Sequence, residues 1–223
     1  MTRTTNARIA GFTFLFYIAV AYPDMVLVNR ATSGEGIAAK LASIAQHTTE
    51  MHIAVLLTVL SSFSALVLAV TLYGITRDED HEVAMLGFAC RVGEGVLGAI
   101  PLTTVGLLWL ATAAAPNAPD AASADALGNF LLKVGSWKTT CAATLFAVGS
   151  IAFSYLLLRG RMIPAPLAWL GLVGSAVVLV GLPLQLAEFL RGPITQLMWI
   201  PVALFELTLG PWFLIKGVRR PSP

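Results

Sequence analysis

Six runs of roughly 20 apolar residues, separated by short polar stretches, dominate this chain. That length is what an α-helix needs to cross about 30 Å of hydrocarbon. The runs cover residues 9–28, 53–76, 83–115, 137–158, 167–187 and 198–215. They are continuous rather than alternating, which excludes a transmembrane barrel. Of 223 residues, 57% are hydrophobic and 12% charged, with a mean hydropathy of +0.80. Soluble domains carry about 25% charged residues, so this chain cannot cover a water-soluble globule. Disordered chains are poor in apolar residues, which excludes disorder. A net charge of +2 without a dense basic cluster speaks against a nucleic-acid partner. Cys90 and Cys141 both lie in apolar runs, so neither a disulfide framework nor a CxxC metal site is expected.

The expected fold is all-α: one integral membrane domain, residues 1–223, built as a six-transmembrane-helix bundle in a lipid bilayer. Residues 77–82 make a short charged loop, and 159–166 a basic, proline-marked turn. Residues 116–126, rich in Pro, Ala and Asp, predict a flexible loop, and 188–196 close the last hairpin. Between spans one and two, Ile37, Leu41, Ile44 and Ala45 recur at helical spacing opposite Lys40, Ser43 and Gln46. Thr32 and Ser33 stand before them as candidate caps. A short helix is expected there, either lying in the membrane interface or packed on the bundle surface.

With six spans both termini share one side. That side collects Arg3, Arg8, Arg77, Arg159, Arg161, Lys216, Arg219 and Arg220, against Arg30, Lys40, Lys133, Lys138 and Arg191 on the other. The excess predicts cytoplasmic termini. Arg3, Arg8 and the Ala19-Val20-Ala21 run imitate a cleaved secretory signal, but small residues are also ordinary inside spans, and a retained first span is expected.

Several short patterns occur in a recognisable order: Arg8-Ile9-Ala10-Gly11, residues 65–73, Arg91-Val92-Gly93-Glu94, residues 153–158 with Ile163-Pro164, and Phe205-Glu206 followed by Gly210, Trp212 and Lys216-Gly217. In this the chain resembles the bacterial membrane proteins of domain-of-unknown-function family 4386, over nearly its whole length. The resemblance implies a multi-span protein of the bacterial inner membrane and implies no activity.

Ionisable groups inside hydrocarbon cost about 2.5–3.5 kcal/mol at a helix centre, so they are the best pointers to function. Glu94 follows Val83 by eleven residues, about 16 Å along a helix, and Glu206 precedes Lys216 by ten, about 15 Å. Both carboxyls are thus expected near the midplane. Arg91 lies three residues before Glu94, on the same face. Arg91, Glu94 and Glu206 are expected to form one buried cluster with an uncompensated negative charge. Such a cluster either handles a ligand or a proton, or only settles helix packing. Gly87, Gly93, Gly95 and Gly98 make span three a candidate central helix. Trp199, two turns before Glu206, is a candidate wall for a ligand site or part of the interfacial aromatic belt. Gln185, Glu188 and Arg191, spaced by three, form a second polar set near the outer ends, where Asp24 closes span one; Gln185 and Glu188 are candidate ligand contacts for a pocket opening outward, or solvated residues at headgroup level. His47, Glu50 and His52 have poor spacing for a metal, and no cofactor is implied by any motif.

Three functions fit these residues. One is a pocket for a proton or a small apolar or lipid-like ligand. Six short spans without repeats or broken helices nevertheless differ from known secondary transporters. Another is an intramembrane enzyme using a protonated Glu as general acid on a lipid or isoprenoid. The third is a structural or partner subunit of a membrane complex. Oligomeric state is not legible.

Overall fold

A computed structural model describes residues 2–113, 119–187 and 189–219. Among these residues the chain is helical, without strands. The helices are α1 (Arg3–Ala31), α2 (Gly36–Gln46), α3 (Thr48–Thr76), α4 (His81–Gly98), α5 (Leu102–Thr112), α6 (Ala121–Arg159), α7 (Ala165–Leu186), α8 (Ile194–Leu197) and α9 (Ile200–Ile215). Six stretches are long and apolar enough to cross a membrane: α1, α3, α4 with α5, α6, α7, and α8 with α9. Phe12, Phe63, Val70, Leu86, Val180 and Leu204 are exposed on their outer faces. This is the pattern of a multi-pass membrane protein, in which apolar side chains face acyl chains as readily as they face the core.

Three expectations need correction. Residues 121–126 are not loop: they open α6, because Asp120 caps it, its Oδ1 accepting from the Ser123 N–H at 2.8 Å. Residues 114–118 lie outside the described residues. Thr32 and Ser33 do not cap α2. Glu35 holds the N-cap position without a side-chain bond, Thr32 Oγ1 donates back to the Val28 carbonyl, and Gly34 and Gly36 make the turn at positive φ. Span three is a broken helix. Pro101 has no N–H to continue the ladder, α4 stops at Gly98, and α5 starts at Leu102. Lys138 Nζ occupies the Ile100 carbonyl at the break, at 2.9 Å.

The long helices form a closed ring in chain order, α1 to α3, α4, α6, α7 and α9, with α9 returning to α1. At the end that carries the termini the ring is solid. Ala7, Phe14, Leu68, Leu72, Phe153, Leu157, Leu209 and Phe213 fill it. Ion pairs cover that end: Arg3 with Asp78 at 3.1 Å and Arg159 with Asp80 at 3.0 Å. At the opposite end Ile44 of α2 packs with Ala31, Met51, Leu107 and Leu108. The short helix therefore sits on the bundle, with Ile37 and Ile44 buried and Ala45 exposed.

The closure of α9 on α1 needs glycine. A Cβ on Gly11 would stand 2.6 Å from the Gly210 carbonyl oxygen and 2.9 Å from Phe213 Cβ, both on the facing helix. Backbone cannot yield as a flexible side chain can. Gly11→Val is expected to destabilise the protein by about 1–3 kcal/mol, measured by unfolding in detergent. Wild-type stability in that variant would show that the two helices do not meet this closely.

Candidate functional site

Between the solid end and the α2–α5 end, the ring encloses a cavity of about 410 Å³. It extends from Glu94 on α4 and Glu206 on α9 toward Asp24 on α1, Thr58 on α3, Thr139 on α6 and Trp199 at the start of α9. Gly95 and Gly98 bring the α4 backbone to its wall just before the break in span three. Irregular backbone at membrane depth is tolerated where it lines a cavity, so the break and the cavity belong together.

Arg91 lies beneath the cavity and is 2% exposed. Its NH1 stands 2.9 Å from Glu94 Oε2, as the i, i+3 spacing predicts. The approach is close but poorly aligned: it is an ion pair without hydrogen-bond geometry, and Nε, NH1 and NH2 all lack an acceptor. The guanidinium carbon lies 5.0 Å from the centre of the Phe146 ring. Gly149 on α6 gives its stem room, since a Cβ there would meet Arg91 Cγ at 3.1 Å. A void of about 10 Å³, lined by Arg91, Glu206, Phe153 and Ser154 among others, separates this guanidinium from Glu206. Glu206 is within electrostatic reach of Arg91 and Glu94, without an ion pair to either. The three residues expected to cluster are thus brought together, with Glu94 engaged by Arg91 and Glu206 left over.

Trp199 lines the cavity and its ring tilts over Phe146, centroids 6.3 Å apart. Gln185 is not brought in. It is exposed near the end of α7, which does not line the cavity. The reason is packing: Gly174 lets α7 press against the Pro201–Val202 backbone, and Val178 and Leu182 close with Met198 and Val202. Glu188 lies outside the described residues. His47 and His52 each use Nδ1 on a carbonyl one turn earlier, Ser43 and Thr48, both at 2.8 Å. Among the described residues no group of three potential ligands gathers for a metal.

Sequence reasoning missed two wall residues. Tyr17 sits mid-span, lines the cavity and is within reach of the charges of Glu94, Glu206 and Arg91. Its place in the middle of a span, away from any interfacial belt, was the available signal. Asp24 was assigned to the outer end of span one but also lines the cavity. Thr58 donates to its Oδ2 at 2.9 Å, while Oδ1 is buried without a partner. Ser61 Oγ is likewise buried and unpartnered. Buried polar atoms of Asp24 and Ser61 without a protein partner thus lie on one hollow, where a bound molecule could satisfy them.

Arg91→Met leaves Glu94 buried without its counter-charge and is expected to cost about 3–5 kcal/mol of stability. Adding Glu94→Gln should recover part of that loss, with a coupling of about 1 kcal/mol or more in a double-mutant cycle read by unfolding. Strict additivity would mean that the pair does not form.

No curated protein and no solved structure matches the chain significantly. The family model described as a domain of unknown function, DUF4386, matches residues 9–217, a stretch that contains every described residue lining the cavity and the helix ring except the first residues of α1. The chain therefore belongs to the DUF4386 family.

Proposed function

We propose that this protein is a small-ligand-binding membrane protein whose site is the cavity inside the helix ring. The observation that carries the reading is the hollow itself: about 410 Å³, within the range of ligand pockets, with buried polar atoms of Asp24 and Ser61 without a protein partner. Broken membrane helices recur where transporters bind their substrates, and the break after Gly98 adjoins this cavity. A purely structural role would call for a filled centre, because an apolar bundle gains packing energy by closing its voids. An acid–base enzyme would call for an acid and a separate base facing one substrate, whereas Glu94 is tied to Arg91 and leaves Glu206 without a partner base beside it. Both arguments favour binding.

On this reading the protein sits in the cell membrane with both termini cytoplasmic, on the side richer in Lys and Arg. In intact cells a Lys216→Cys protein should be shielded from an impermeant maleimide and react only after permeabilisation. Labelling of intact cells would reverse the orientation.

Access to the cavity is tested with a thiol at its wall. In a background without Cys90 and Cys141, Ser61→Cys is expected to react with a small membrane-permeant maleimide at least about tenfold faster than Ala69→Cys, which lies in the filled core of the same helix. Equal rates would remove the reading, because a sealed hollow binds nothing from outside.

A further inference from the structure

The chemistry of the cavity wall narrows the ligand class, and this step rests on the binding reading above. Three carboxylates line the wall: Asp24, Glu94 and Glu206. Among the described residues no Lys or Arg lines it, and Arg91 faces the small void that Glu206 also lines. The three acids are not equivalent. Glu94 has the Arg91 guanidinium at 2.9 Å. Asp24 accepts from Thr58 and lies within electrostatic reach of Lys138. Glu206 is 8% exposed and has neither an ion pair nor a hydrogen bond among the described residues. A buried carboxyl in that condition calls for a proton, a hydrogen-bond donor or a positive charge from elsewhere.

We propose that the cavity binds a small organic monocation, an amine or quaternary ammonium with an apolar body, its charge seated at Glu206 and its body along α9 toward Trp199. Trp199 precedes Glu206 by seven residues, two helical turns, so both face the same hollow about 10 Å apart. The body thus meets an indole at the upper end, with Phe146 and Val202 along the wall. An acid at one end of a largely apolar hollow suits an alkylammonium, whose diffuse charge has little need of directed hydrogen bonds and whose body can pack on the indole. A divalent metal is poorly served, because it wants six or more oxygen ligands and this wall is largely apolar. A proton would neutralise Glu206 but leave the volume empty.

The test uses the full chain in detergent, with Ser61→Cys labelling and thermal unfolding as readouts. Three probes are compared: benzyltrimethylammonium, its uncharged isostere neopentylbenzene of the same shape, and the anion 4-phenylbutyrate, which carries the same ring. Benzyltrimethylammonium is expected to slow labelling and raise Tm, while the other two do neither. Glu206→Gln should weaken that protection tenfold or more, and Asp24→Asn less than threefold. The charge series on the unaltered Glu206 site decides the matter even where Glu206→Gln fails to fold. Equal protection by the neutral isostere, or no protection in a cavity that labels readily, overturns the cation class while leaving the cavity reading in place. Loss at Asp24→Asn with retention at Glu206→Gln overturns the assigned seat. Failure of Ser61→Cys to react faster than Ala69→Cys strikes the earlier reading instead.

Discussion

A guanidinium at mid-depth of an apolar bundle governs much of this structure. Arg91 cannot be solvated there, so the helices around it must supply what water would. Glu94 supplies a counter-charge one turn away, Phe146 an aromatic face and Gly149 the room for its stem. These demands bind α4 to α6 along the middle of the ring. They also leave the ledger of charge unbalanced, because a second acid, Glu206, reaches the same region from α9. The outcome is a bundle whose centre is electrostatically incomplete.

That incompleteness coincides with an asymmetry of packing. The half of the ring near the termini is filled with large side chains such as Phe14, Phe153 and Phe213. The other half is lined by small and polar residues, among them Ala21, Ser61, Ser62, Gly98 and Ala142. The same small residues that let helices approach elsewhere here fail to fill the space between them. Pro101 ends α4 at this level, so the break adjoins the hollow just past Gly98, and Lys138 is drawn in to satisfy a freed carbonyl. Filled half and hollow half are consequences of one distribution of side-chain size along six helices, and the broken span of one proline.

Part of the site was legible from residue spacing. Arg91 and Glu94 are three apart in a helix and meet as that spacing requires. Counting rise per residue from the span ends brought Glu94 and Glu206 to one depth, and both line the cavity. Gln185 was misplaced, because position along a helix says nothing about which way its neighbours turn it. Tyr17 and Asp24 were missed for the same reason. Their relation to Glu94 and Glu206 crosses from α1 to α4 and α9, and such relations depend on which helices touch. The loop expected over 116–126 lost its second half to α6, because composition suggested flexibility where Asp120 in fact caps a helix.

What the sequence determined by itself is the solvent, the class of fold and the set of buried charges. Long apolar runs have one stable solution in a bilayer, and ionisable groups within them cannot be accidental passengers. Only the tertiary structure decided that α9 closes on α1 and that α7 stays off the cavity. Those outcomes turn on glycine contacts between distant segments, Gly11 against Gly210 and Gly174 against Val202. Contacts of that kind are set by the three-dimensional fit of helix surfaces, which no pattern along a single helix encodes.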